Sequence, residues 1–533
     1  MTTTFTDEST QAVLGTGQLL ARLKPDSARG QLSLQSMRAY RCADEGAWRT
    51  EVAFLDQAQA WVTADAEHHS ALRTTLAEIP LMERTLRKLE AGEVLRDVEF
   101  FEVKRFLFHA AAALRKADLL IQEWCWPAQW APRCVDTMSE FHPEGTLTSR
   151  FYLSSDLSPS LASLRLEGRQ AVRVVLAIAR ALEREVIESY GGSFDMERNY
   201  LPPAATDAFT GSQALRKEGD RWRLFTPELA AAEELARAVA HSVEVAEEAL
   251  RRRLSDYLRW QLGWFEEIAA ALAQLDVRLA KVRLRQEFDG CWGSWQTRPG
   301  LDLRRGCEPR LEHTLAKRGE RVQAVDILCD ERPTIIVGPN MGGKSLLLKL
   351  IGLCQWCAQH AMPVPAARFV FSPVNAIIYV GSEEPLAAEA AEGLSSFGRE
   401  VRRLVDWWQT PANPRLWLLD ELGRGTHPDE GASIACEVVQ QLAANADRVV
   451  AATHFPTLAD LPNARRLRIR GLAEAVDFEQ TFARVGDDLI AIEAALRGLM
   501  DYNPVAVEVA EIPRDARRVA LALGLKIADS LNE

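Results

Sequence analysis

The sequence lacks three features that would assign the protein to a special class. No apolar run among its 533 residues reaches 18, so we expect no membrane-spanning helix. A secretory signal has a basic segment ahead of a hydrophobic one. No such basic segment is present here, because the first Lys or Arg is Arg22. Nine cysteines, an odd number, give no paired disulfide framework. We therefore expect a cytoplasmic protein.

An excess of positive charge is also missing. The chain has 63 Lys and Arg against 75 Asp and Glu, which gives a net charge of −12. When the chain is divided at residue 290, the two parts carry −7 and −5. Neither part resembles a basic nucleic-acid-binding module. Any contact with DNA is therefore expected to be local and sensitive to salt.

The composition is that of a folded protein, and the length favours two to four domains. Hydrophobic residues make up 47% and charged residues 26% of the chain. Apolar residues at three- and four-residue spacings predict a helical core domain over the first 150 residues. The segments 158–190 and 228–288 predict two long helices, the second with one or two breaks. Between them, RWRLFT (221–226) predicts a strand in a small tip, so the whole resembles a lever.

After Pro299 the sequence pattern changes to one that predicts alternating strands, turns and helices. Four short apolar runs rich in β-branched residues are separated mostly by helical stretches: TIIV (334–337), AIIYV (376–380), LWLL (416–419) and RVVAAT (448–453). Such runs predict a buried, mainly parallel sheet. The expected fold class is therefore multidomain, with helical domains followed by an α/β domain.

One motif predicts a phosphate-binding loop. GPNMGGKS satisfies the pattern G-x-x-x-x-G-K-[ST], follows a predicted strand and opens a helical pattern. Its glycines let backbone N–H groups approach phosphates at a helix N-terminus. Lys344 is expected to contact the β- and γ-phosphates and Ser345 to supply an oxygen to Mg²⁺. The predicted nucleotide-binding residues are Gly338, Pro339, Asn340, Met341, Gly342, Gly343, Lys344 and Ser345.

Two strand ends downstream supply further candidate catalytic residues. LWLLDE ends in Asp420, suited to Mg²⁺, and Glu421, which can orient or deprotonate an attacking water. Paired acids after a strand are also common in ordinary loops. VVAATH places His454 where an imidazole could reach a γ-phosphate, although a lone histidine is more often structural. The catalytic candidates are thus Lys344, Glu421 and His454.

These motifs, in this order, closely resemble the ATPase domain of the MutS family, a group of ABC-type ATPases. The resembling stretches are GPNMGGKS, LSSF with Ser395, LDELGRGT and ATHF. The resemblance implies that ATP and Mg²⁺ lie between the two subunits of a homodimer, with Ser345 and Asp420 at the metal. It also implies that Ser395 reaches the γ-phosphate bound by the other subunit, and that the turn 423–426 lies at the dimer seam.

The resemblance extends more weakly to the other segments, and it is specific only over residues 333–455. It implies a helical core domain (1–150), a long-helix lever with a clamp-like tip (151–290), an ABC-type ATPase domain (291–500) and a C-terminal helical dimerisation segment (501–533).

The sequence departs from mismatch-reading members of the family. Residues 100–102 (Phe-Phe-Glu) match the Phe-x-Glu motif that forms the wedge in those members. The match lies inside a strong helical pattern, however, which favours a core helix. The aromatic residue that stacks on adenine is not evident in RVQAVDI (321–327). The turn reads GRGTHPDEG, with His427 and Pro428 replacing the usual Ser/Thr-rich version, and no nuclease domain is expected after residue 533.

Two functions follow from the resemblance. The first is an ATP-gated DNA clamp, related to mismatch repair or to the binding of damaged or structured DNA, but without the wedge. The alternative is a chaperone-like ATPase that reactivates a cobalamin-dependent aminomutase. The family favours DNA, whereas the charge of the predicted tip favours a protein client, because residues 188–228 contain 5 basic and 7 acidic residues.

Overall fold

The computed structural model describes residues 4–118, 126–142, 151–203, 212–339, 342–381, 395–472 and 500–508. The chain forms two compact units. One consists of residues 1–26, 30–66 and 274–533, and the other of residues 27–29 and 67–273. Asn340 and Met341 of the predicted phosphate loop lie outside the described residues, as does most of the predicted dimerisation segment. The four predicted domain ranges stay predictions.

The helices occur throughout the described chain, and short 3₁₀ turns cover Leu34–Ser36 and Ser155–Leu157. The α-helices are α1 (Glu8–Leu14), α2 (Thr16–Arg22), α3 (Ala28–Ser33), α4 (Glu45–Ala64), α5 (Ala66–Ala77), α6 (Glu83–Glu90), α7 (Asp97–Asp118), α8 (Trp130–Ser139), α9 (Pro159–Tyr190), α10 (Pro227–Arg259), α11 (Leu262–Phe288), α12 (Pro309–Ala316), α13 (Lys344–Gln359), α14 (Ser396–Trp408), α15 (Pro428–Ala444) and α16 (Pro456–Ala459).

The strands form three sheets. They are β1 (Ser193–Phe194), β2 (Asn199–Leu201), β3 (Leu215–Glu218), β4 (Arg221–Leu224), β5 (Ser294–Trp295), β6 (Leu301–Gly306), β7 (Val325–Cys329), β8 (Thr334–Val337), β9 (Arg368–Phe371), β10 (Ala376–Gly381), β11 (Arg415–Asp420), β12 (Arg448–Ala452), β13 (Arg465–Leu472) and β14 (Met500–Ala506). The strand orders are β1-β2-β4-β3, β5-β9-β6-β7 and β10-β11-β12-β8-β13-β14.

The long helices α9 and α10 confirm the predicted pair in the lever segment. Each begins with a side-chain cap followed by proline: Ser158 accepts a bond from the Leu161 N–H, and Thr226 from the Leu229 N–H. The pattern over 228–288 breaks once, between α10 and α11. The antiparallel sheet β1-β2-β4-β3 lies between α9 and α10 in the chain, and β4 confirms the strand predicted in RWRLFT.

Phe100 lies inside helix α7, as the helical pattern predicted. Its side chain is fully buried and stacks on Phe151, with 5.1 Å between ring centroids. A ring held in this way within a hydrophobic core cannot be inserted between DNA bases. The Phe-Phe-Glu string is therefore part of a core helix and does not form a wedge.

The six-stranded sheet forms the core of the α/β part. Strands β10, β11, β12, β8 and β13 are parallel, and β14 pairs antiparallel with β13. Alternate side chains enter a core on one face, where helices α14, α15 and α16 contribute apolar residues. Helix α13 packs against β11 and β12. The strands are buried throughout β8, β10 and β11, which explains why their sequences read as continuous apolar runs.

The expected fold class is confirmed: helical regions accompany an α/β domain with a mainly parallel sheet. Every strand predicted after Pro299 is present at its predicted place. Among the described residues, no helix is both long enough and apolar enough to cross a membrane.

A buried ion pair connects β11 to the turn before β12. The guanidinium Nη2 of Arg415 lies 2.7 Å from Oδ2 of Asp447, and the two side chains are 2% and 0% exposed. Asp447 also accepts bonds from the Arg415 backbone N–H and from Nε1 of Trp417. Its oxygens are therefore satisfied within the core, and the removal of its charge would leave a buried guanidinium unpaired.

We predict that Asp447→Asn lowers the free energy of unfolding by about 3 to 5 kcal/mol, because one buried charge loses its partner. Denaturant titration monitored by tryptophan fluorescence measures the change. Asp406→Asn, which breaks the exposed pair with Arg402, is the matched control, with an expected cost of about 1 kcal/mol or less. Equal effects of the two substitutions would contradict a special role for the buried pair.

Candidate functional site

One row of residues across three parallel strands fixes the candidate site. Asp420 of β11 is paired with Ala452 of β12, and Ala452 is paired with Ile336 of β8. The carboxyl ends of these strands therefore meet at one edge of the sheet. The predicted phosphate loop begins two residues after Ile336, Glu421 directly follows Asp420, and His454 lies two residues after Ala452.

The predicted phosphate loop connects β8 to α13 as the motif requires. Gly343 caps α13 with φ +76°, a left-handed conformation that favours glycine. The Gly342 N–H donates to the Pro339 carbonyl. At Gly338, a Cβ would lie 3.1 Å from the Cβ of Ile469 in β13. The glycines of the motif thus meet conformational and packing requirements of this connection.

Lys344 begins helix α13 and points into the loop. Its Nζ donates to the carbonyls of Gly338 and Pro339 at 3.0 and 3.1 Å. It also lies 3.8 Å from Oε1 of Glu421, and its side chain is 3% exposed. Burial lowers the pKa of Lys344, an effect that the charges of Glu421 and Asp420 oppose. A buried ammonium at a helix N-terminus is a site for an anion that brings additional negative charge.

Asp420 is the buried carboxylate of the site. Its Oδ2 accepts a 2.6 Å hydrogen bond from the hydroxyl of Tyr379 on the neighbouring strand β10. Gly381, its pairing partner across the ladder, leaves room for it, since a Cβ there would lie 2.8 Å from the Cβ of Asp420. This arrangement orients the carboxylate at the strand end.

Ser345 and Asp420 provide hard oxygen donors of the kind that Mg²⁺ prefers. Mg²⁺ bound with nucleotide takes one or two protein oxygens and completes its shell with water and phosphate. Among the residues that the structure describes, no group of three or more His, Cys, Asp or Glu is arranged to hold a metal ion. The donor set at this edge therefore fits a metal that arrives with phosphates and does not resemble an all-protein metal site.

Glu421 occupies an unusual backbone conformation. Its φ is +54°, uncommon for a residue with a side chain, and its N–H donates to the Ala452 carbonyl of β12. The carboxylate accepts a 2.6 Å bond from Nη1 of Arg424 at its second oxygen. A left-handed backbone at a non-glycine residue is unfavourable and persists only where the surrounding structure holds it. Such residues are found most often at functional sites.

The turn after Glu421 is tightly packed. Gly423 has φ +84°, and a Cβ on it would lie 2.8 Å from the Gly431 carbonyl oxygen of α15. The reverse approach is closer, since a Cβ on Gly431 would lie 2.4 Å from the Gly423 oxygen. The Gly423 N–H donates to the Glu400 side chain of α14. Burial raises the pKa of Glu400, an effect partly offset by that bond and by Arg399.

Ser395 lies at the start of α14, and His454 directly follows β12. Ser395 is exposed and caps α14, where its hydroxyl accepts a bond from the Gly398 N–H at 3.1 Å. His454 is half-buried directly after β12 and its ring lies beside Phe455, with centroids 4.4 Å apart. The structure thus brings Lys344, Asp420 and Glu421 together, while Ser395 faces outward from the start of its helix.

A mainly apolar cavity of about 690 Å³ adjoins the phosphate loop. Its lining residues come from the end of β6, from α12 and its N-cap, from the start of β7 and the segment before it, from the N-cap and first turns of α13, and from β14: Gly306, Glu308, Leu311, Leu315, Glu320, Arg321, Val322, Gln323, Val325, Gly343, Leu346, Leu347, Leu350, Met500 and Tyr502. A Cβ on Gly343 would lie 3.2 Å from the ring of Tyr502. An aromatic side chain therefore lies directly beside the loop.

Gln323 holds Tyr502 in place. Its amide nitrogen donates to the Asp501 carboxylate at 2.7 Å, and its oxygen accepts from the Tyr502 N–H at 3.1 Å. Sequence patterns do not indicate this aromatic residue, because Tyr502 follows the loop by more than 150 residues and no motif surrounds it. Arg424 lies within the turn 423–426, which the resemblance assigns to the dimer seam without a separate role for this arginine.

Comparisons with known proteins agree with this geometry. Residues 334–511 match the family model described as MutS domain V, a range that includes β8, the phosphate loop, the two carboxylates and His454. The chain therefore contains a MutS domain V, and the resemblance to the MutS family is confirmed.

Curated relatives resemble longer parts of the chain. The Endonuclease MutS2 of Thermomicrobium roseum is 28% identical over 467 residues, which cover 81% of this chain and 56% of the relative. The Endonuclease MutS2 of Maridesulfovibrio salexigens is 30% identical over 207 residues, or 38% and 26% of the two chains. The DNA mismatch repair protein MutS of Chlorobaculum tepidum is 30% identical over 295 residues, or 54% and 32%. The chain thus spans between a quarter and just over half of these relatives.

Proposed function

We propose that the protein binds and hydrolyses ATP at the sheet edge described above and couples hydrolysis to its action on DNA. The observation that supports this most is the position of Lys344 at the N-terminus of α13, close to the carboxylates Asp420 and Glu421. Asp420 ends strand β11 and Glu421 directly follows it, and in the sheet β11 is separated from β8 by β12 alone. A γ-phosphate would offer Lys344 a better partner than the two backbone carbonyls that it now contacts.

In the proposed reaction, Glu421 orients a water molecule and accepts its proton. The water oxygen forms a bond to the γ-phosphorus while the bond from that phosphorus to the bridging oxygen breaks, and ADP leaves with the electron pair. Lys344 neutralises charge on the phosphate oxygens during transfer. His454, at the end of β12, is the proposed contact with the γ-phosphate.

Mg²⁺ would be held by Ser345 and Asp420 and would supply charge neutralisation to the phosphates. The Tyr379 hydroxyl keeps Asp420 oriented at the strand end. The backbone of the segment 338–345, including Asn340 and Met341, would surround the phosphates through its N–H groups.

We propose a homodimer in which the exposed Ser395 completes the nucleotide site of the other subunit. Its support is the exposed position of this serine at the N-cap of α14, where helix N–H groups favour a phosphate. Residues 501–506 of the predicted helical dimerisation segment form part of strand β14 of the α/β sheet, so only the remainder, 507–533, is proposed for dimerisation. The other proposed ranges are 1–150 for the core, 151–290 for the lever and 291–500 for the ATPase domain.

The cavity beside the phosphate loop is the proposed site of the base. It is apolar, adjoins Gly343 and offers the ring of Tyr502 for stacking. The side chain that would stack therefore comes from the last described strand and does not precede the loop. This assignment supplies the aromatic residue that the upstream segment 321–327 lacks.

The proposed action on DNA follows the names of the relatives, an endonuclease and a DNA mismatch repair protein. The tip sheet is not strongly basic, because several of its cations are paired: Arg221 with Glu197 at 2.7 Å, Arg223 with Glu218 and Arg198 with Glu183 at 3.6 Å. These pairs reduce the charge offered to phosphates, so we infer a weak grip that depends on ionic strength. The names of the relatives give no support to a client such as an aminomutase.

Substitutions of Lys344 and Glu421 test the ATP site. Lys344→Ala should abolish nucleotide binding, measured with a fluorescent ATP analogue, because it removes the buried cation. Glu421→Gln should bind ATP with nearly unchanged affinity and lower kcat by about 10²- to 10⁴-fold, because the proton acceptor is lost. With ATP, the Gln variant should accumulate as a dimer in sedimentation experiments. Wild-type turnover in either variant would contradict the assignment.

Substitutions of Tyr502 test the base cavity. Tyr502→Ala should weaken ATP binding by about 1 to 3 kcal/mol, the value typical of a base stacked on an aromatic side chain, while Tyr502→Phe should keep it. Isothermal titration calorimetry measures both. An equal loss of affinity for inorganic triphosphate, which has no base, would contradict stacking. It would show that the ring only supports the conformation of the phosphate loop.

The DNA proposal is tested by the steady-state ATPase rate with duplex, mismatched and branched DNA at low and near-physiological salt. We expect DNA to change the rate and the change to decrease as salt rises, because counterions are released on binding. Lys344→Ala serves as the background control. An active ATPase that is indifferent to every DNA at low salt would contradict this part of the proposal.

A further inference from the structure

The carboxylate of Glu421 is shared between two cations. Its Oε2 accepts a 2.6 Å bond from Arg424, and its Oε1 lies 3.8 Å from Nζ of Lys344. The three side chains differ in exposure, at 3% for Lys344, 16% for Glu421 and 60% for Arg424. The buried cation belongs to the phosphate loop, whereas the exposed cation contacts the carboxylate from the solvent side.

A guanidinium at this distance opposes the chemistry proposed for Glu421. A proton acceptor needs a free oxygen lone pair, and a charge-assisted hydrogen bond occupies one. A bound phosphate would compete with Glu421 for Lys344. It would not compete for Arg424, because this side chain contacts the carboxylate from the solvent side.

The backbone of this turn is held more firmly than the Arg424 side chain. The Glu421 N–H is bonded to Ala452, the Arg424 N–H to Glu421 and the Thr426 N–H to Gly423. The guanidinium, by contrast, lies at the surface, where ion pairs contribute little to stability. The side chain can therefore leave the carboxylate without unfolding of the turn.

We propose that Arg424 is an autoinhibitory partner of Glu421. Its guanidinium occupies the proton-accepting carboxylate, and hydrolysis proceeds when that contact opens. The inference rests on the proposed function, since it assigns a restraint to the same glutamate. It adds a positioning residue that acts through Glu421 and does not itself contact the nucleotide.

The test is the effect of Arg424→Gln on steady-state ATP hydrolysis. We expect kcat to rise by at least roughly threefold, while remaining below the about 10²- to 10⁴-fold that a general base contributes, and KM for ATP to change less than about twofold. Arg424→Lys keeps a cation beside the carboxylate and should stay close to the wild-type rate.

A matched control is Arg49→Gln. Arg49 pairs with Glu45 on α4 at 2.7 Å and is 58% exposed, nearly the same distance and exposure as Arg424 with Glu421. Its loss should leave kcat unchanged. Circular dichroism and thermal unfolding of all three variants establish that each one is folded.

The outcomes separate the inference from the proposed function. A kcat for Arg424→Gln equal to or below that of the wild type would overturn the autoinhibitory role, as would an equal rise in Arg424→Lys or in the Arg49 variant. The proposed function fails separately if the wild type binds a fluorescent ATP analogue no better than Lys344→Ala. A raised rate confined to Arg424→Gln supports the restraint.

Discussion

The parallel pairing of β8, β12 and β11 is the constraint on which the candidate site depends. Because Ile336, Ala452 and Asp420 form one row, three connections that are distant in the sequence leave the sheet at the same edge. A shift of register in either ladder would separate Lys344 from the carboxylates. Arg415 and Asp447 directly precede the paired residues Leu416 and Arg448, so their buried ion pair favours this register of β11 with β12.

The sequence allowed the central strands and the charged cluster to be predicted, because both depend on local patterns. Strands buried on both faces read as apolar runs, and the phosphate-loop motif requires its strand and helix within a few residues. The break between α10 and α11 was also expected, although its place was not. Local periodicity and spacing determine these features, so one sequence was sufficient.

The features that the sequence did not reveal depend on contacts between distant residues. Tyr502 reaches the loop only because β14 pairs with β13, which in turn pairs with β8. The hydrogen bond from Arg424 to Glu421 accompanies a left-handed backbone at Glu421, a conformation that no residue type in the turn indicates. Charge counts likewise could not show that Arg221, Arg223 and Arg198 of the tip have acidic partners.

The cavity beside the loop has a consequence for the order in which the domain can assemble. Its walls come from residues 306–325, from α13 and from Met500 and Tyr502, so it exists only when chain segments nearly 200 residues apart have come together. Contacts of such long sequence separation form late and slowly during folding. A ligand that fills the cavity would bind only the completed domain, and it would therefore raise the thermal stability of that domain in proportion to the logarithm of its concentration.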